Sequence, residues 1–466
     1  MYQDDLTPKE ENNSKHLINR FNKMVENQRF EYFESEEIER IIDHFCEKED
    51  KKKIIKAFGL YEKLFPFSFQ LNLKKAQVLI FFDRPNEALD KLKENSNSKN
   101  EDYLYTLSVA HSKLKNHTEA IKILEELLLT NETNEEVISS LANEYQIIGN
   151  YSSANDMIEK LLLLDSVNEF YWFTYILSSE VEENSNRAIE FIKKFIKIHP
   201  YNFEAWFYLG VAYQRKDDHL NAIEAFDYTI YIKEDFEKAY INKADSLSEL
   251  GYYQNAIDSC LESLKYKEAN AAIYYDIGDY YEKLDNLEKA KSYFHKSIKK
   301  DENFEESWFA LALILDLQGQ HLEASYHIKK AIDIDPTNVD FLFSYAQIHE
   351  KVGFIKEAEI AYRKVLELDE FDTETWLNYS HLLSQYESYS EAINLLKRAI
   401  KIDPKKAELS YRISAYLFKS GNDELGLQFF KEALIINYDK NEEFFSYMPS
   451  VKSNIILLNL LTKHKK

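Results

Sequence analysis

The chain has 466 residues with only 9 glycines and 7 prolines, is 14% aromatic, and carries a formal charge of −23. So few turn-forming residues exclude a strand-and-turn architecture and favour helices with short connections. That much aromatic surface excludes a disordered chain. The charge argues against nucleic acid, whose phosphates need clustered Lys and Arg, and against an anionic membrane surface; it suits a basic or neutral partner.

The first predicted element is a stripe. Residues 16–26 place Leu17, Ile18, Phe21, Met24 and Val25 on one helical face, which predicts an N-terminal capping helix within a segment 1–34 that starts disordered. From residue 35 the chain repeats itself. The clearest unit begins at Phe203 and reads Trp206-x-x-Leu209-Gly210-x-x-Tyr213, then Ala222-x-x-x-Phe226. With Phe203 as position 1, position 20 falls on Ala120, Ala154, Ala188, Ala222, Ala256, Ala290, Ala324, Ala358 and Ala392, each 34 residues after the last, and Ala88 precedes them by one 32-residue step. All four tryptophans (Trp172, Trp206, Trp308, Trp376) occupy position 4. Gly149, Gly251, Gly319, Gly353 and Gly421 share position 15, and Pro66, Pro200, Pro336 and Pro404 share position 32.

This frame predicts twelve units starting at 35, 69, 101, 135, 169, 203, 237, 271, 305, 339, 373 and 407, an array over 35–440. Each is a pair of amphipathic helices, A over positions 1–14 and B over about 17–31. Small Ala at position 20 lets B approach A, and Trp at position 4 fills the adjoining space. Gly at 15 suits a left-handed cap, and Pro at 32 ends helix B. The end units are atypical, with Ile54 and Gly426 at position 20, as a solenoid requires. Beyond the array, 441–466 predicts a C-terminal capping helix, with Phe444, Phe445 and Ile455–Leu461 as its apolar material and Lys463-His464-Lys465-Lys466 as a basic tail.

The recurring Trp-x2-Leu-Gly-x2-Tyr…Ala-x3-Phe pattern resembles the tetratricopeptide-repeat family over 406 of 466 residues. The end segments, from Phe21-Asn22-Lys23-Met24 to Ile41-Ile42 and the closing helix, look like those of bacterial repeat-array proteins. The resemblance implies an all-α, right-handed superhelical solenoid whose A helices line a concave groove with positions 2, 5, 9, 12 and 13. Those positions hold 18 Asp or Glu against 6 Lys or Arg. Position 5 supplies Phe173, Phe207, Ile241, Tyr275, Phe309, Phe343, Leu377 and Tyr411; Glu204, Glu306 and Asp340 stand at position 2, and Asp245 and Asp279 at position 9. The expected groove is an acidic trough with an aromatic ladder, suited to a polypeptide with apolar anchors and basic residues. The alternative for the ladder is that position 5 packs against neighbouring helices. A carboxylate clamp of the kind found in chaperone-docking members is not expected, because no unit has Lys at position 5 and only Asn143 supplies Asn at position 9.

No sequence pattern calls for catalysis, a cofactor or a metal. There is no His-Glu-x-x-His, no Gly-rich phosphate loop and no Gly-x-Ser-x-Gly. Cys46 and Cys260 are too few for a disulfide framework or a zinc site. With no apolar leader and no apolar run of about 18 residues, the cytoplasm is the expected location. The sequence predicts a non-enzymatic protein-binding scaffold or adaptor; the alternative is a regulatory receptor whose superhelix takes a short peptide or small ligand.

Overall fold

The computed structural model describes residues 8–93, 100–181, 185–452 and 454–465. Every regular element among them is helical. The chain forms an all-α solenoid of twelve successive helix pairs between Ser35 and Ile436, each pair packed along its length. It divides into two compact units, residues 1–234 and 235–466.

Each pair is closed by the same turn. In the eleven repeats whose turn lies within the described residues, the amide at position 16 donates to the carbonyl at position 11, from Asp50 to Phe45 through Asn422 to Leu417, at 2.8–3.2 Å. This is the long bond of a Schellman cap, and it needs a left-handed residue at position 15. The five glycines at position 15 supply it with φ between 76° and 89°. Glu49, Asp83, Lys115, Asp217, Asp285 and Glu387 take the same conformation without glycine, at φ 53–61°. The turn is therefore imposed by the helix pair rather than by its residue.

Close approach of A and B rests on small residues. All ten alanines at position 20 are at most 2% exposed. Opposite them, position 8 matches position 24 in size. A Cβ on Gly210 would lie 2.5 Å from the Phe226 ring, and one on Gly278 would lie 2.6 Å from Phe294. In the last repeat Gly426 replaces Ala at position 20 because a Cβ there would meet the Phe418 ring at 2.9 Å.

Successive pairs are joined by the tryptophans. Each indole N–H donates to the carbonyl at position 32 of the preceding unit: Trp172 to Ser166, Trp206 to Pro200, Trp308 to Glu302 and Trp376 to Glu370, at 2.8–3.0 Å. A large apolar body with one donor thus fills the inter-repeat space and ties down the turn that enters helix A.

The ends are covered. Helix Pro8–Asn27 buries Leu17, Ile18 and Phe21 against the first pair, with Met24 and Val25 partly buried beside them. It extends further towards the N-terminus than the 16–26 stripe, through a polar first half that carries no periodic apolar signal. At the other end, the short helix Glu442–Tyr447 buries Phe444 and Phe445, and helix Ile455–His464 buries Leu457, in one cluster with Tyr411 and Phe430.

Candidate partner-binding site

The residues expected to line the A-helix face divide by accessibility. Phe173 is 48% exposed. Ile241, Tyr275, Phe309, Phe343, Leu377 and Asp279 are half-buried, and Asp245, Glu306 and Asp340 are exposed. Phe207, Tyr411 and Glu204 are buried and offer a partner little surface. Position 5 has a second duty in the core. Its ring packs on the ring at position 24 of its own B helix: Phe207 on Phe226 at 5.8 Å, Tyr275 on Phe294 at 5.6 Å, Phe343 on Tyr362 at 6.0 Å and Tyr411 on Phe430 at 5.6 Å. These rings are rooted in the core and differ in how much edge they leave outside.

Many acids on this face are already paired across repeats. Glu180 takes Arg215, Asp316 takes Lys351 at 2.5 Å, and Glu350 takes the amide of Gln385, in each case position 12 against position 13 of the next unit. His321 also approaches Asp316 at 2.7 Å. These bonds cross-link neighbouring A helices; Glu180 and Asp316 are paired with cations, whereas the neutral amide of Gln385 leaves the charge of Glu350 in place.

Three carboxylates, Asp245, Asp276 and Asp279, crowd one another on two adjacent A helices, Glu237–Glu249 and Ala271–Lys283. Asp279 is paired with Lys283 at 2.8 Å, and Tyr280 donates to Asp245 at 3.3 Å. Among the described residues, no Lys or Arg lies within ion-pair reach of Asp245 or Asp276. Asp276, half-buried at position 6, has its pKa pushed up to about 7 by burial and then by the charges of Asp245 and Asp279, with Lys283 pulling the other way. Burial also raises Asp245, a carboxylate that remains accessible yet lies in a recess where protein displaces part of its water. Asp276 was missed in the sequence because position 6 is outside the expected groove set; three Asp within four residues of 276 and one repeat earlier were the available signal.

The last repeat closes this face with the chain's own segment. Arg412, 5% exposed, donates to Glu443 at 2.9 Å through Nε and to the Leu377 carbonyl at 3.3 Å, and Tyr447 lies over its guanidinium at 3.6 Å. The Tyr411 hydroxyl donates to the Asn437 carbonyl at 3.0 Å. Tyr411 therefore belongs to the terminal core.

No group of three or more potential metal ligands occurs among the described residues. No described helix is long and apolar enough to cross a membrane.

Comparison with known proteins agrees with this architecture. The tetratricopeptide repeat family matches residues 101–134, 237–270, 271–304, 305–338, 339–372 and 373–406, six of the units in the frame read above. The chain is a tetratricopeptide repeat protein, and such repeats mediate protein–protein interaction. No curated protein matches it. Similar solved structures include YrrB, described as a TPR protein with an unusual peptide-binding site, at 17% identity over 40% of this chain and 94% of that one, with a TM-score of 0.34. The C-terminal part of a TPR repeat-containing protein from Cytophaga hutchinsonii gives 16% identity over 54% and 99%, with a TM-score of 0.45. Cut9–Hcn1, an APC/C hetero-tetramer, gives 15% over 87% and 94%, with a TM-score of 0.39.

Proposed function

We propose that the chain is a non-enzymatic cytoplasmic scaffold that binds a partner polypeptide on the A-helix face of its second unit. The observation that carries this reading is the unbalanced acid at Asp245 and Asp276 beside the half-buried Tyr275. A Lys or Arg of a partner would replace the missing cation. The accessible edges of Ile241, Tyr275, Phe309 and Phe343 would take its apolar side chains, so the partner is basic with apolar anchors. Nucleic acid and membrane are not part of the proposal, because both present the same sign of charge as this face.

The test is quantitative affinity capture from native extract with the parent chain and with Asp245→Asn/Asp276→Asn. Asn keeps size and removes charge, so the folded scaffold is preserved. A basic partner lost at least tenfold with the variant supports the reading. Partners captured equally by both chains refute it.

A further inference from the structure

The edge formed by the end of each B helix and the start of the next A helix changes character along the chain. Leu163, Leu164, Val167 and Phe170 occupy positions 29, 30, 33 and 2 of consecutive units; four repeats later the same positions hold Lys299, Lys300, Asn303 and Glu306. Both sets are exposed, so the fold does not require apolar residues there. The next unit adds Ile198 and Tyr201, and the two turns touch, since the Asn202 amide donates to Ser166 Oγ at 3.1 Å. These six side chains are 45–80% exposed. Taking a whole aromatic side chain as about 200 Å², they leave roughly 700 Å² of apolar surface in water. A monomer's largest patch is ordinarily about 300–600 Å².

We propose that this edge is the two-fold interface of a homodimer. Three observations select a second copy. The area approaches the ~800 Å² per partner of a standard interface. The rim is nearly neutral, with Asp165 and Glu169 on one turn and Lys197 on the next. Two chains of −23 repel each other over most of their surface, so self-association favours a place where that charge is absent. A two-fold arrangement sets the first turn of one copy on the second turn of the other, which brings Glu169 opposite Lys197 twice and buries Val167 against Tyr201 twice.

The test is sedimentation equilibrium of the full chain across micromolar concentrations. The parent is expected at twice its 55.2 kDa mass. Val167→Glu/Tyr201→Glu is expected at the single mass with its helical circular dichroism unchanged, since both side chains stand in water in the folded chain. Phe170→Glu serves as a second variant should the pair lose helicity. Leu322→Glu, an equally exposed apolar site in the other unit, is expected to remain dimeric. A monomeric parent, a dimer that survives both edge variants, or equal dissociation by Leu322→Glu overturns the proposal. So does a ladder of higher oligomers, which a closed two-fold contact does not produce.

Discussion

Asp276 has a folded pKa near 7 against an ordinary 3.8. Between those values the folded chain keeps a proton that the unfolded chain has released. Its contribution to stability is therefore full below pH 3.8 and is lost as pH rises through 7. Asp276→Asn removes the cost of ionising this site. One pKa unit is about 1.4 kcal/mol, and water reaching the cluster reduces the gain to roughly 1–2 kcal/mol at pH 8. Urea melts from pH 5 to pH 8 are expected to show that gain shrinking steadily towards pH 5; a pH-independent difference would remove Asp276 as its source. A second residue-scale expectation concerns Gly210. Phe226 is fully buried and cannot retreat from a new Cβ, so Gly210→Ala is expected to cost about 1–3 kcal/mol in a thermal or urea melt. Gly210→Ala/Phe226→Leu is expected to recover part of it, because Ala76 and Leu92 already coexist at the equivalent positions.

At the scale of the element, the helix pair and its turn were legible in the sequence because every unit meets the same steric demand. Ala at position 20, Gly at position 15 and Trp at position 4 recur for reasons that act within one repeat or between neighbours. The frame also placed the turn where Gly is missing, but not its conformation: Lys115 and Glu387 read as ordinary helix-end residues and are held at φ 61° and 58°. A left-handed L residue costs about 1–2 kcal/mol, and glycine gives back part of that by loosening the unfolded chain. Lys115→Gly and Glu387→Gly are therefore each expected to stabilise by about 0.5 kcal/mol, read as a rise in urea midpoint at constant slope. The accessibility of position 5 was not legible. It depends on the residue at position 24, Phe226 beside the buried Phe207 and Ile192 in the unit of the half-exposed Phe173, and on neighbouring residues. The pairing of position 12 with position 13 of the next unit was not legible either, because it depends on how neighbouring A helices are set against each other.

At the scale of the whole chain, stacking identical units makes most surfaces interchangeable, and function has to lie where the periodicity breaks. Asp245, Asp276 and Asp279 are one such break, and the apolar edge from Leu163 to Tyr201 is another. The buried Arg412, held by Glu443 and Tyr447, is a third: it uses a charged side chain to seal the end of the array rather than to bind a partner. The measurement that tests the functional account most directly is site-specific photocrosslinking in native extract. A benzophenone side chain at Ile241, on the A-helix face beside Asp245, is compared with one at the exposed Leu322 on a B helix. The account expects a discrete adduct from position 241, with the attachment peptide rich in Lys or Arg and weakened by salt, and none from position 322. An adduct from 322 alone, or an acidic attachment peptide at 241, would contradict it.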